Sequence, residues 1–135
     1  MIEHDINIRV RYAETDKMGY VYYGNYATYF EVARVETFRS FGLSYADMEK
    51  DGVMMPVLEL QQKYYKPALY DDLLTIRTHI KVKPAARIYF EYEVFNEAGV
   101  KLGDAKTTLV FINMKTGRPC APPESFQEAV MNRFE

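Results

Sequence analysis

Residues 24–42, "GNYATYFEVARVETFRSFG", decide how the rest of the chain must fold. Tyr26, Tyr29, Phe30, Ala33, Thr37, Phe38 and Phe41 recur at three- and four-residue spacing, so the segment from about residue 24 to 41 is predicted as a helix with a broad apolar face. Gly42 stands where a left-handed C-terminal cap is needed, and Asn25 is a good N-cap residue. A helix carrying this much aromatic surface needs a large apolar partner, and the remaining sequence has to supply it.

Working outward, residues 6–12 alternate Ile6, Ile8, Val10 and Tyr12 with polar neighbours, the period of a strand with one buried face. After the helix, Ser44 followed by Asp47 reads as the capped start of a short second helix ending near Gly52. From Val53 onward the period changes to two. Leu74, Ile76, Thr78, Ile80 and Val82 alternate with a basic face, Ile88, Phe90, Tyr92 and Val94 with an acidic and aromatic one. "NEAG" at 96–99 predicts a hairpin turn into a last long strand through "DAKTTLVFINM", which "KTGRP" ends. A short amphipathic helix is predicted between Ser125 and Phe134. One strand, two helices and then four strands predict an α+β fold: an antiparallel sheet of about five strands wrapped around one long central helix.

The composition sets bounds on function. A chain of 135 residues with 48% hydrophobic and 27% charged residues fits one folded domain, residues 1–135, in a soluble globular class. A net charge of −2 gives no overall positive field, so no nucleic-acid partner is expected. Neither a secretory leader nor an apolar run of spanning length occurs, so a cytoplasmic protein without membrane insertion is expected. Cys120 is alone and only His4 and His79 are present, which argues against a disulfide, a zinc site or a metal cofactor. Cys120 has no cationic or helical context, and His79 reads as a surface residue on a strand. Glu31 and Arg34, three apart on the helix, read as a structural ion pair.

The segment leading into the helix carries the chemistry. "TDKMG" at 15–19 places Asp16 in a turn-forming context, and Asp there has an ordinary structural use. A carboxylate a few residues before a helix N-terminus also stands next to unpaired backbone N–H groups, which hold an oxyanion well. Gly24 would allow a substrate carbonyl to approach that backbone, polarised for attack by Asp16 or by a water it activates. The pattern points to acyl transfer or hydrolysis. The tyrosines at helical spacing have a competing reading as core or subunit interface.

"YAETDKMGYVYYGNYATYFEVAR", residues 12–34, resembles the N-terminal signature of hotdog-fold acyl-CoA thioesterases of the 4-hydroxybenzoyl-CoA thioesterase type, and the likeness continues through "PVLELQQKYYKPALYDDLLTIRTHI". The resemblance implies that Asp16 is the catalytic nucleophile or general base, and that the backbone N–H of Tyr23 polarises the thioester carbonyl. It implies substrate contacts from Gly19, Val21, Tyr22, Gly24 and Tyr26, with Tyr29 as a further pocket or interface wall. It also implies a homodimer or homotetramer with sites at the subunit interface, where Val57, Leu58 and Glu59 would line the acyl pocket of the partner's site. Lys81, Lys83 and Arg87 would meet the phosphates of coenzyme A, although an ordinary solvated strand face is the simpler reading of them. Two alternatives stay open: a hotdog hydratase or dehydratase, which needs a histidine base that the helix region lacks, and a hotdog protein that binds an acyl thioester without hydrolysing it.

Overall fold

The computed structural model describes residues 1–134. Strand β1 (Ile2–Arg9) leads through a 3-10 turn (Tyr12–Glu14) to helix α1 (Asn25–Arg39) and helix α2 (Tyr45–Lys50). Strands β2 (Val53–Met54), β3 (Val57–Tyr64), β4 (Leu73–Ile80), β5 (Arg87–Phe95), β6 (Lys101–Val110) and β7 (Ile112–Asn113) follow, and helix α3 (Glu124–Val130) with a terminal 3-10 turn (Met131–Phe134) closes the described chain. The five long strands form one antiparallel sheet in the order β1-β4-β5-β6-β3, and β2 pairs separately with β7. This is the α+β hotdog-type architecture.

The period-two segments bury most of the side chains their alternation selects; Val82, selected with β4, lies beyond its end and is exposed. Leu74, Ile76, Thr78 and Ile80 of β4 and Ile88, Phe90, Tyr92 and Val94 of β5 form the inner face. α1 packs on that face: Phe30 stacks on Tyr92 with ring centroids 4.4 Å apart, and Phe38 meets Phe90 edge-on at 5.9 Å. The turn chemistry follows the sequence as well. Ser44 and Asp47 exchange side-chain and backbone hydrogen bonds of 3.1 Å in both directions, and the Asn96 side chain accepts from the Val100 N–H at 3.0 Å across the "NEAG" turn.

Several local expectations are corrected. β1 runs from Ile2 to Arg9, and Tyr12, expected on its buried face, lies beyond it in the 3-10 turn and is 78% exposed. The last strand, expected to run on through Met114, breaks at Phe111 before the short β7. β3 follows the helices in sequence, yet it pairs with β6 at the far edge of the sheet. There Gly103 lets the two backbones approach: a Cβ on it would stand 2.5 Å from the Lys63 carbonyl oxygen. The outer edge of β3 has no strand partner among the described residues, and Val57, Leu58 and Leu60 are exposed along it. No helix of the described residues is long and apolar enough to cross a membrane, and among them no three side chains group to hold a metal.

Candidate active site

Asp16 opens a tight turn between Thr15 and Val21, which bridge in antiparallel fashion. Its N–H donates to the Tyr20 carbonyl at 2.8 Å, and its carbonyl accepts from the Gly19 N–H at 3.0 Å. Gly19 has φ +79°, a conformation that L side chains rarely adopt, so the glycine is what lets the chain reverse here. The carboxylate divides its two oxygens. Oδ1 accepts from the backbone N–H of Met18 at 2.9 Å and of Tyr20 at 3.3 Å, whereas Oδ2 makes no hydrogen bond among the described residues. The turn is tied to the loop before β4 by the Val21 N–H, which donates to the Ala68 carbonyl at 2.8 Å.

Gly24, not Asn25, caps α1. Asn25 is the first helical residue, and its side-chain amide instead donates to the Glu14 carbonyl at 2.8 Å. A Cβ on Gly24 would stand 2.7 Å from the Tyr22 ring, so any larger residue there requires that half-exposed ring to move. Around this corner the N–H of Tyr22 donates to Glu14, that of Asn25 to Tyr22 and that of Tyr26 to Tyr23. The N–H groups of Tyr23 and Gly24 donate to no acceptor among the described residues, as is usual for the first amides of a helix. They supply two donors at the positive end of the helix dipole.

Asp16, Val21, Tyr23 and Tyr26 line one open cavity of about 390 Å³, together with Tyr64, Tyr65, Lys66 and Pro67 from the end of β3 and the loop after it. Tyr26 and Tyr64 meet edge-on at 5.7 Å. Burial, and then the neighbouring Tyr64, push the Tyr26 phenol up to about 12, so it is a neutral, protonated hydroxyl at neutral pH. The sequence reading missed Tyr64, Tyr65 and Lys66 as site residues, although "YYKPA" carried the signal.

The other expected site residues fall elsewhere. Tyr22 meets Tyr23 at a tilt of 39° with ring centroids 4.8 Å apart, and is half exposed outside the cavity lining. Tyr29 is core: 2% exposed, with its hydroxyl donating to Glu14 at 3.0 Å. Leu58 and Glu59 lie at the opposite end of β3 from Tyr64, remote from Asp16 within one chain. Lys81 lines a separate cavity on the outward face of the sheet, where it pairs with Glu91 at 3.3 Å, and Lys83 and Arg87 stand exposed at either end of the following turn. The structure therefore gives the Asp16 cavity a different cation, Lys66.

Two further readings are corrected. Arg34 turns into the core, 6% exposed, donating to the Tyr92 hydroxyl at 3.1 Å, and makes no ion pair with Glu31 among the described residues. His79 is mostly buried and its Nε2 meets Glu93 at 2.8 Å. His4, the other histidine, approaches Thr37 at 3.5 Å. Neither histidine lines the Asp16 cavity.

Comparison with known proteins shows the family and the fold. Residues 10–130 match the thioesterase-like superfamily. The acyl-CoA thioester hydrolase YbgC of Escherichia coli is 30% identical over 118 residues, covering 87% of this chain and 88% of that protein. The crystal structure of a DHNA-CoA thioesterase from Staphylococcus aureus superposes with a TM-score of 0.84 at 38% identity, covering 98% of this chain and 87% of that one. A 4-hydroxybenzoyl-CoA thioesterase structure, in complex with 4-hydroxybenzoyl-CoA, superposes with a TM-score of 0.82 over 94% and 97% of the two chains at 23% identity, a likeness of fold alone.

Proposed function

The chain belongs to the thioesterase-like superfamily, and on that premise we propose that it hydrolyses an acyl-CoA thioester to the free acid and coenzyme A. In this reading α1 is the central helix around which the sheet wraps. The observation that carries the proposal is the pairing, along one cavity, of a carboxylate oxygen with no internal partner, Asp16 Oδ2, and a residue with an uncommitted N–H at a helix N-terminus, Tyr23. The carbonyl oxygen of the thioester accepts from the Tyr23 N–H, with the Gly24 N–H as second donor, and the developing oxyanion is stabilised there. Asp16 either takes a proton from the attacking water or attacks the carbonyl carbon itself. In both routes the C–S bond breaks and the coenzyme A thiolate leaves to be protonated by solvent; in the second, water then cleaves the acyl–Asp16 anhydride, releasing the acid and restoring the carboxylate. Val21, Tyr26 and Tyr64 wall the acyl group, and Lys66, with no carboxylate partner among the described residues, meets coenzyme A phosphate. A hydratase or dehydratase is disfavoured because neither His4 nor His79 lines the cavity.

The direct test is thiol release from a panel of benzoyl-, phenylacetyl- and C4 to C16 acyl-CoA thioesters. Turnover of any member supports hydrolysis. Binding of the panel without turnover would replace this reading with a non-hydrolytic acyl-thioester-binding protein.

The same reading includes a homodimer formed by β3. Its free edge exposes Val57, Leu58 and Leu60, a row of unpaired backbone groups and apolar side chains that a second copy covers by antiparallel pairing. Pairing about the middle of β3 brings Leu58 and Glu59 of the partner subunit beside Tyr64, at the cavity wall, which reconciles their distance from Asp16 within one chain. Lysines on a strand edge oppose such pairing. The double variant Leu58→Lys, Leu60→Lys is therefore expected to run as a monomer in light scattering, with thiol release lowered roughly 100-fold by the lost wall. A dimer that persists in this variant would place the interface elsewhere.

A further inference from the structure

Glu14 is a charged residue only 9% exposed, two positions before Asp16, and no step of the chemistry above uses it. A buried carboxylate persists only where partners satisfy it, and those of Glu14 come from three places. Oε1 accepts from the Arg11 N–H at 2.8 Å, Oε2 from the Arg11 guanidinium at 3.1 Å, and Oε1 again from the Tyr29 hydroxyl of α1 at 3.0 Å. Its backbone carbonyl accepts two more, from the Tyr22 N–H and from the Asn25 side-chain amide, both at 2.8 Å.

We propose that Glu14 is a positioning residue for the hydrolysis, a clamp that fixes the distance between the Asp16 turn and the first turn of α1. The proposal rests on the reading that Asp16 Oδ2 and the Tyr23 N–H carry the reaction. Those two groups lie on separate backbone segments. Asp16 stands two residues after Glu14, and Tyr23 stands between Tyr22 and Asn25, the two residues whose donors meet the Glu14 carbonyl. The carboxylate meanwhile grips the helix one turn further on, through Tyr29. A shift of Glu14 therefore moves the attacking oxygen relative to the oxyanion donor. A displacement of about 1 Å at such a pair is enough to cost on the order of 100-fold in rate.

The charges support a fixed arrangement. Burial pushes the Glu14 carboxyl up, but the Arg11 backbone N–H, the Arg11 side chain and the Tyr29 hydroxyl together outweigh it and hold the group below its ordinary value. Burial, and then the facing Glu14, push the Tyr29 phenol upward. Carboxylate acceptor and phenol donor are thus both fixed at neutral pH. The Arg11 side chain is 78% exposed, so its ion pair is screened by water, whereas the Tyr29 bond is buried and directional. A residue needed only to cap the 3-10 turn would require the Arg11 contacts alone; the bonds to Tyr29 and Asn25 reach across to α1.

The test compares wild type, Glu14→Gln, Tyr29→Phe, Asn25→Ala and the double variant Glu14→Gln, Tyr29→Phe in the full chain. It reads kcat and KM for thiol release from the best panel thioester, together with Tm. Expected is a fall in kcat of between about 10- and 100-fold in Tyr29→Phe and Glu14→Gln, with KM within about twofold of wild type. The double variant is expected to be no slower than the slower single one, because both act on the same contact: glutamine leaves Tyr29 a neutral acceptor in place of a charged one, and phenylalanine removes the donor. A merely structural residue would lower Tm and the folded fraction but leave kcat per folded molecule unchanged, and that result overturns the clamp. Tyr29→Phe removes a single hydroxyl, so it reads the proposal even where Glu14→Gln does not fold. Thiol release abolished by Asp16→Asn but untouched by Tyr29→Phe and Asn25→Ala overturns the clamp and leaves the Asp16 reading standing. Thiol release indifferent to Asp16→Asn removes both.

Discussion

Replacing Asp16 by Asn is expected to lower kcat for thiol release about 10³-fold, with Tm close to wild type. The structure explains why the two effects separate. An asparagine oxygen in the place of Oδ1 still accepts from the N–H groups of Met18 and Tyr20, so the turn that Gly19 completes is kept. The amide nitrogen in the place of Oδ2 is a donor with no basic lone pair, and it neither takes a proton from water nor attacks a carbonyl. KM should move little, because the cavity walls are Val21 and the tyrosine rings. Retention of kcat within about tenfold of wild type would reduce Asp16 to a turn former and leave the site without its attacking group.

This division of oxygens resolves a tension already visible in the sequence. "TDKMG" supported a structural reading, in which Asp satisfies its own backbone, and a chemical one, in which it attacks a carbonyl. One oxygen is committed to the turn and the other to no internal partner, so the same side chain serves the first reading without forfeiting the second.

Alternation and helical spacing state which side of an element is buried, and those parts of the fold were legible: the inner faces of β4 and β5, the apolar face of α1, the Ser44 cap and the "NEAG" turn. They do not state which element lies across the interface. Nothing in residues 57–64 announces that β3 crosses to the far edge beside β6, because its partner is set by the stacking of the whole sheet. Arg34 looked like an i,i+3 partner of Glu31 by the same limitation. Spacing puts the two side by side on the helix surface, whereas the guanidinium turns inward to the Tyr92 hydroxyl, a contact 58 positions away. Before the helix, the turn at Asp16 and the helix start just after Tyr23 were legible from the sequence, but the contacts of Glu14 were not. Its decisive partner, Tyr29, is 15 positions away and reads from spacing only as an aromatic on a helix. The basic cluster of Lys81, Lys83 and Arg87 was visible as a cluster, but sequence does not say which face of the sheet the substrate meets. The loop after β3 brings Lys66 to the Asp16 cavity instead.

The largest loss of stability is expected from Phe30→Ala: about 4 kcal/mol, with Tm lowered by roughly 10–15 °C. Phe30 is fully buried; its ring stacks on Tyr92 at 4.4 Å and lies 6.2 Å from Tyr26. Truncation removes the transfer free energy of the ring and leaves a void between α1 and β5 that rigid aromatic neighbours close poorly. Phe30 does not line the Asp16 cavity, so kcat measured well below the transition should stay near wild type, the converse of the Asp16→Asn result. Differential scanning calorimetry at a fixed protein concentration reads the first quantity, since an oligomer's Tm depends on concentration, and thiol release at low temperature reads the second. A Tm shift of only a few degrees would mean that α1 is anchored elsewhere, with Phe38 against Phe90 the next contact to test. A collapse of kcat with the fold intact would mean that the Phe30 and Tyr26 rings transmit position to the helix N-terminus. The site would then depend on this aromatic stack as well as on the Glu14 hydrogen bonds, which hold the Asp16 turn to α1 but do not hold α1 to the sheet.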